Sequence, residues 1–316
     1  MDLSVIIVNW NTCDVLRDCL ESIYEQTEGV SFEVIVVDNA SVDGSAEMAA
    51  NEFPQVTLIK NKENRGFAAA NNQGMRIAQA RYLLLLNSDT IVLDGAIQKT
   101  IRFMDQHTEA AVVGCKVLNP NRTVQGTCFM FPSLLNLFLS TTYLYKVFPR
   151  HQFFGRERMT WWDRQDVREV EVVTGCFMLI RTEVIDQVGL MDERFFVYGE
   201  ETDLCWRIKN AGWKILYSPI AEIIHLGGGS SQQMRPQMLM QLIASVLLFF
   251  RKNRIFVSYI MACILMSLFF VIRLPYWLFR AAVSSKTRKS DLLTAWYYAV
   301  ASSKSLFGWE ALRFKK

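Results

Sequence analysis

Between Leu3 and Leu86 apolar runs of strand length alternate with stretches of helical spacing, and this alternation constrains the fold more than any other feature of the chain. Leu3 to Val8 is continuously apolar, as a strand covered on both faces requires, and Asn9-Trp10-Asn11-Thr12 closes it with turn and helix-capping chemistry. Val15, Leu16, Cys19, Leu20 and Ile23 then recur at helical spacing. A second strand (Phe32 to Val37), a helix (Ala46 to Glu52), a third strand (Val56 to Ile59), a polar loop (Asn61 to Gly66), a helix (Phe67 to Ala80) and a fourth strand (Tyr82 to Leu86) follow. Such a series predicts parallel βαβ units in an α/β, doubly wound, mostly parallel sheet with flanking helices. Ligands of these sheets bind beyond the carboxyl ends of the strands.

Each of those ends carries Asn or Asp: Asn9 and Asn11, Asp38 and Asn39, Asn64 beside Arg65-Gly66, Asn87 and Asp89. Any one of them fits a turn, but together they converge on one crevice. The first strand is not followed by GxGxxG and no GxxxxGK[ST] occurs, which disfavours a nicotinamide enzyme and leaves a bound diphosphate in need of a counter-ion. Asp89 can hold magnesium or manganese against it, because these cations need only one or two carboxylates when phosphate and water complete the shell. His225, in Ile223-Ile-His-Leu-Gly-Gly-Gly229, fits either a structural strand end or an added imidazole ligand, with the glycines allowing a ligand close. Glu200, Glu201 and Asp203 lie within four residues at the head of a helical pattern. Acids suit a helix N-terminus, yet the third is surplus to that need and can supply a general base.

A net charge of +3 disfavours nucleic acid as a partner, and seven scattered cysteines without a CxxC pair indicate a reducing, cytosolic environment. The start shows no basic region ahead of its apolar run, so no signal peptide is expected. Near the other end Arg251-Lys-Asn-Arg254 precedes Ile255 to Ile272, which is free of charge, and Arg273, Pro275 and Arg280 follow among aromatics. That segment predicts a helical, membrane-associating region over 236–316, either crossing the bilayer or lying in one leaflet.

Six blocks carry a resemblance. Val5-Ile-Ile-Val-Asn-Trp-Asn11, Val37-Asp-Asn-Ala-Ser-Val-Asp-Gly-Ser45, Asn64-Arg-Gly-Phe-Ala-Ala-Ala-Asn-Asn72, Leu84-Leu-Leu-Asn-Ser-Asp-Thr90, Val173-Thr-Gly-Cys-Phe-Met178 and Gly189-Leu-Met-Asp-Glu-Arg-Phe-Phe196 resemble glycosyltransferase family 2, in particular its rhamnosyltransferase-like branch. The resemblance runs from Leu3 to about Arg251 and implies a GT-A fold over 1–235, with a nucleotide-sugar half to about 118 and an acceptor half over 119–235. It implies an inverting transfer from a nucleotide-sugar donor with Mg2+ or Mn2+. Asp38 then answers the base-binding aspartate, and Asn9, Asn11, Asn39, Asn64, Gly66, Asn87 and Ser88 line the nucleotide-sugar pocket. Asp89 answers the last aspartate of the DxD-type motif, whose first position here is Asn87, and His225 the downstream metal ligand. Glu200-Glu201 stands where the family has Glu-Asp, so Glu201 is the expected base, with Glu200 or Asp203 as substitutes.

Gly175 and the aromatics Trp161 and Trp162 are the expected acceptor-side residues, the aromatics as sugar-stacking platforms or as packing. The branch implies rhamnose from a dTDP donor, with a UDP- or GDP-sugar as alternative, and a polysaccharide or lipid-linked saccharide acceptor at the cytoplasmic face of the cell membrane. A homo-oligomer is compatible with the sequence. A membrane-attached scaffold that binds nucleotide-sugar without turnover is the competing class, encouraged only by Asn87 and Glu201.

Overall fold

The computed structural model of the chain describes residues 1–227 and 235–312. They group by contact into two units: one from Met1–Phe131, Trp162–Phe196 and the described part of Glu200–Gln232, the other from Pro132–Trp161, Val197–Gly199 and the described part of Gln233–Lys316.

The first unit opens with β1 (Leu3–Asn9), α1 (Cys13–Gln26), β2 (Phe32–Asp38), α2 (Ser45–Glu52), β3 (Thr57–Lys60), α3 (Phe67–Ile77), β4 (Tyr82–Asn87), β5 (Thr90–Val92), α4 (Ala96–Gln106), β6 (Ala110–Leu118) and β7 (Cys128–Phe129). The chain then passes through α5 (Leu134–Thr141) and α6 (Leu144–Val147) of the second unit. It re-enters the first for β8 (Arg168–Glu169), β9 (Val172–Val173), β10 (Phe177–Arg181), α7 (Thr182–Val188), α8 (Glu200–Asn210) and β11 (Lys214–His225). The four remaining helices, α9 (Arg235–Asn253), α10 (Phe256–Val283), α11 (Arg288–Ser305) and α12 (Trp309–Leu312), belong to the second unit.

Among the described residues the main sheet has nine strands in the order β3-β2-β1-β4-β10-β6-β11-β5, with β8 also on β11. Its pairings give β3, β2, β1, β4, β6 and β11 one direction and reverse β10, β5 and β8, so the sheet is mostly parallel, as the alternation predicts. Leu16, Leu20 and Ile23 of α1 close one face over Leu3, Val5 and Ile7. On the other face α3 comes close at Gly74, where a β-carbon would lie 2.5 Å from Ile6 Cγ2.

Register gathers the strand ends. Asn9 stands opposite Asp38 across β1–β2, and Val8 opposite Asn87 across β1–β4. Antiparallel β10 sets Phe177 opposite Leu86, which leaves Gly175-Cys176 beside Asn87 and lets Asn87 N–H donate to the Cys176 carbonyl at 3.3 Å. The three-residue β5 runs back along β11 and pairs Thr90 with His225. Residues far apart in sequence thus share one rim.

The second unit is a helical cluster around Leu137, Ile243, Leu247, Phe250, Met266 and Phe270. Pro132–Trp161, which the sequence reading places in an acceptor half, groups with these helices because Leu137 of α5 is part of their core. Helix α10 also runs past the charge-free stretch that ends at Ile272, through Arg273, Pro275 and Arg280 to Val283. The Arg273 charge does not end it because the buried guanidinium donates to the carbonyls of Phe269 (2.8 Å), Ser140 (2.8 Å) and Thr141 (3.2 Å).

Candidate active site

The loops after β1 and β2 are tied to each other before they can touch any ligand. Asn9 is fully buried, and its amide donates to Asp38 Oδ1 (3.1 Å) and Ser41 Oγ (3.2 Å) while its carbonyl accepts from Thr12 Oγ1 (2.6 Å). Ser41 N–H donates to the other Asp38 oxygen at 3.0 Å, and Thr12 and Ser88 hydroxyls meet at 3.0 Å, linking the β1 and β4 ends. Asn11 and Ala40 both adopt left-handed backbone, with φ of 54° and 65°, and Asn11 Oδ1 accepts from Val42 N–H at 2.8 Å. Such backbone in a non-glycine residue is uphill and persists where surrounding contacts over-determine it.

Asn39 is a second brace. Its amide donates to Asn64 Oδ1 (3.0 Å) and the Gly66 carbonyl (3.2 Å), and its carbonyl accepts from Asn61 Nδ2 (3.0 Å) and Arg65 N–H (3.1 Å). Asn64 Oδ1 also takes Gly66 N–H at 2.9 Å. Gly66 lies where only glycine fits: φ is +83°, and a β-carbon would sit 2.4 Å from the Phe196 carbonyl oxygen. That carbonyl accepts from Phe67 N–H at 2.6 Å, so the β3–α3 loop is clamped to the segment leading to α8. Of the residues expected to line the nucleotide pocket, Asn9 and Asn39 thus engage both side-chain polar atoms in the frame, Asn64 its Oδ1 and Gly66 its backbone. Asp38 is buried at the β2 end, and Asn11 and Asn87 are half-buried.

At the β4 end, Asp89 Oδ1 lies 3.1 Å from His225 Nε2, brought there by the β5–β11 pairing and by Leu226 N–H donating to the Asp89 carbonyl at 2.9 Å. Asn87 Nδ2 donates to the same Nε2 at 3.1 Å. The other ring nitrogen, Nδ1, is 2.7 Å from Gln125 Oε1, and Gln125 Nε2 donates to Asn119 Oδ1 at 3.1 Å. Asn119 fixes which end of the Gln125 amide faces the ring, so Nδ1 donates to Gln125 and Nε2 is the ring nitrogen turned to Asp89 and Asn87. A carboxylate oxygen and an imidazole lone pair at this distance are two acceptors that a shared cation would bridge. Among the described residues no group of three or more His, Cys, Asp or Glu side chains could hold a metal; Asp89 and His225 are two side chains of ligand type that the strand pairing brings together. Gly228 and Gly229, expected to admit a ligand here, lie outside the described residues.

The acidic cluster forms the first turn of α8, launched by left-handed Tyr198 and Gly199. Glu200 is 2% exposed and Asp203 0%, whereas Glu201 is half-buried. Asp203 pairs with Arg207 Nε at 3.0 Å, and the same guanidinium donates to the carbonyls of Gly189 (2.9 Å) and Leu190 (2.8 Å), pinning the end of α7. Cys176, whose carbonyl meets Asn87 at the β4 end, is buried. Chiefly burial, and also the charges of Asp89 and Glu201, push its thiol up to about 11.

On the expected acceptor side, Gly175 is buried against Phe67, whose ring would be 3.1 Å from an added β-carbon. Trp162 is 5% exposed, edge-on to Tyr217 at 4.8 Å, with Arg168 over its ring at 4.8 Å. Both flanks of the indole are taken, so it offers no free face for a sugar; Trp161 is half-buried. Gln125 lies in none of the six family blocks, and Cys176 enters only as part of Val173–Met178. The one signal for Gln125 is its nearness in sequence to Asn119 in a polar turn, which says nothing of His225.

The profile described as Glycosyl transferase family 2 matches residues 4–189. The N-acetylglucosaminyl-diphospho-decaprenol L-rhamnosyltransferase of Mycobacterium tuberculosis is 28% identical over 239 residues, covering 71% of this chain and 75% of the relative. The low-salt glycan biosynthesis hexosyltransferase Agl10 of Haloferax volcanii is 25% identical over 235 residues, 71% of this chain and 67% of that one. Among solved structures, the mannosyltransferase PcManGT from Pyrobaculum calidifontis, in complex with GDP-Man and Mn2+, superposes with a TM-score of 0.58 at 15% identity over 96% of this chain and 87% of its own.

Proposed function

The chain belongs to glycosyl transferase family 2 and is a glycosyltransferase of GT-A fold, and from that premise we propose an inverting, divalent-metal-dependent hexosyl transfer to a lipid-linked saccharide in cell-surface glycan synthesis. The donor is a pyrimidine nucleotide sugar, dTDP-rhamnose in the first instance, which the similarity to an L-rhamnosyltransferase supports. The acceptor is presented at the cytoplasmic leaflet, in keeping with the free thiols of all seven cysteines.

The observation that carries the proposal is the convergence of Asp89 Oδ1 and His225 Nε2 at 3.1 Å, with the histidine tautomer already set by Gln125. These two side chains would hold Mg2+ or Mn2+. When bound, the ion stabilises the negative charge that builds on the departing diphosphate. Asp38 accepts an N–H of the base, in a loop frame that Asn9 and Asn39 hold rigid so that little ordering remains to be done on binding. Glu201 takes the proton from the acceptor hydroxyl as it attacks the anomeric carbon from the face opposite the diphosphate. Of the three acids it is the most exposed: Glu200 and Asp203 are buried, and Asp203 pairs with Arg207. One displacement inverts the anomeric configuration.

Titration of detergent-solubilised protein with dTDP, UDP, GDP and NAD, with and without Mn2+, tests the reading. Manganese-dependent binding of a pyrimidine diphosphate that Asp89→Ala abolishes is expected, together with sugar transfer from the matching donor to a polyprenyl-diphosphate saccharide. Binding of NAD alone, or of nothing, refutes the transferase reading. Metal-dependent nucleotide binding without transfer to any acceptor supports the scaffold reading instead.

A further inference from the structure

The apolar surface of α10 is arranged as a stripe. Val257, Ile264, Leu268, Val271, Phe279 and Val283 are each more than 40% exposed and at 3.6 residues per turn fall within about 120° of arc, which the exposed Phe256 and Tyr276 widen to about 200°. The opposite side carries the buried Ala262, Met266, Phe270 and Arg273. Twenty-eight residues make the stripe about 42 Å long, well beyond a hydrocarbon core of ~30 Å. Exposed basic residues stand at both ends, Arg251 and Lys252 before it and Lys286, Arg288 and Lys289 after it. Length and composition alone permit a crossing helix.

Its packing does not. Helix α5 lies along α10: Arg254 donates to the Pro132 carbonyl at 3.2 Å, Thr141 Oγ1 to the Leu265 carbonyl at 3.4 Å, and Arg273 to the Ser140 and Thr141 carbonyls. Arg273 stacks at 3.9 Å on Tyr143, over whose ring the exposed Lys146 sits at 5.1 Å, and exposed Arg150 and Arg158 follow. Were α10 upright, these charges would stand beside its far third. The chain would then have to return to Trp162 of the first unit through a stretch whose only helix is the four-residue α6. A bilayer core excludes such a crossing, since its backbone N–H and C=O groups would face lipid unpaired.

We propose that α10 lies in the plane of the membrane, its stripe sunk in one leaflet and its two basic ends on anionic headgroups, with α5 and Lys146 on the wet side. This arrangement rests on the reading of the C-terminal unit as membrane-associated, and deepens it from association to orientation. The lipid, not a second copy of the chain, is the occupant because the basic ends repel each other in a self-pairing and match anionic headgroups.

The test uses the full chain with Lys252→Cys or Lys286→Cys, exposed positions beyond the two ends of α10. A membrane-impermeant maleimide is applied to intact spheroplasts and to inside-out vesicles of the expressing cells, with the unsubstituted chain as background. Both positions are expected to react only in inside-out vesicles; reaction from opposite faces overturns the in-plane arrangement and leaves membrane association standing. Flotation with liposomes of equal phosphatidylglycerol and phosphatidylcholine is expected to recover the protein, and replacing Lys286, Arg288 and Lys289 by Gln is expected to lower partitioning by on the order of a hundredfold. No flotation, or a stable dimer in its place, overturns the membrane reading itself.

Discussion

Replacing Gln125 with leucine leaves every proposed ligand in place and removes the acceptor that holds the proton on His225 Nδ1, 2.7 Å away, together with the Gln125 donation to Asn119. The ring is then free to move that proton to Nε2, the atom facing Asp89 and Asn87, and a protonated Nε2 cannot ligate. Losing a partner of this kind costs about 10- to 100-fold in metal affinity, which is about 1.4 to 2.7 kcal/mol. Gln125→Glu keeps an acceptor toward Nδ1 and is expected to retain affinity, so the pair separates the hydrogen bond from mere bulk. Mn2+ titration followed by the loss of its free-ion electron paramagnetic signal gives the affinity, and 15N shifts of the His225 ring in the metal-free protein give the tautomer. Leucine at 125 with unchanged Mn2+ affinity, or a ring protonated on Nε2 in the parent protein, would refute the assignment.

Glu201→Gln is expected to lower turnover by about 10²- to 10⁴-fold with little change in nucleotide binding, as loss of a general base requires; single-turnover kinetics beside dTDP titration would measure both. Asp203→Asn should act on stability instead, because it strips Arg207 of a fully buried partner at 3.0 Å; a loss of about 3 kcal/mol, read by denaturant unfolding, is expected. Gly66→Ala combines a backbone region open essentially to glycine (φ 83°, ψ 172°) with a clash against the Phe196 carbonyl. It should cost upwards of about 2 kcal/mol and reduce turnover by displacing the lead into α8, seen by thermal melting and by transfer assay. Thiol titration of the native protein at pH 8 should find only the half-buried Cys13, because burial covers the other six cysteines and pushes Cys176 to about 11 and Cys19 and Cys205 to about 12; denaturant should release them.

What the sequence made legible follows from which contacts are local. Strands β1 to β4 were readable because each has an apolar centre with its helix beside it, and the register brings the polar ends of β1, β2 and β4 to one rim. The insertion of β10 between β4 and β6 was not readable, since an antiparallel strand arriving from the far half of the chain leaves no mark in β4. Three-residue β5 has no period to detect, yet it sets Asp89 beside His225. Sequence also ranked Asn9 and Asn39 with the ligand-binding residues, because a side chain that braces a loop and one that meets a ligand are the same amide at the same strand end. Only their partners separate them: Asn9 on Asp38, Ser41 and Thr12, and Asn39 on Asn61, Asn64, Arg65 and Gly66. Trp162 shows the converse, an aromatic that the sequence leaves open between platform and packing and that is packed edge-on to Tyr217.

The departure at Asn87 has its own consequence for the order of binding. With Asp89 as the one carboxylate and His225 neutral, a divalent ion held here keeps a net charge of about +1, where a second aspartate at 87 would have cancelled it. The chain alone should therefore hold the ion weakly, and the residual charge should be satisfied by the diphosphate of the donor, so that each ligand tightens the other. Linkage makes the coupling reciprocal: the factor by which Mn2+ improves dTDP binding must equal the factor by which dTDP improves Mn2+ binding, and about 1 to 3 kcal/mol is typical of such coupling. Asn87→Asp should raise affinity for the ion alone and shrink that factor. Titrations of Mn2+ and dTDP, each alone and each in the presence of the other, on both forms of the protein, measure all the quantities involved. Equal Mn2+ affinity with and without nucleotide in the parent chain would show that the two-ligand site does not work through shared charge.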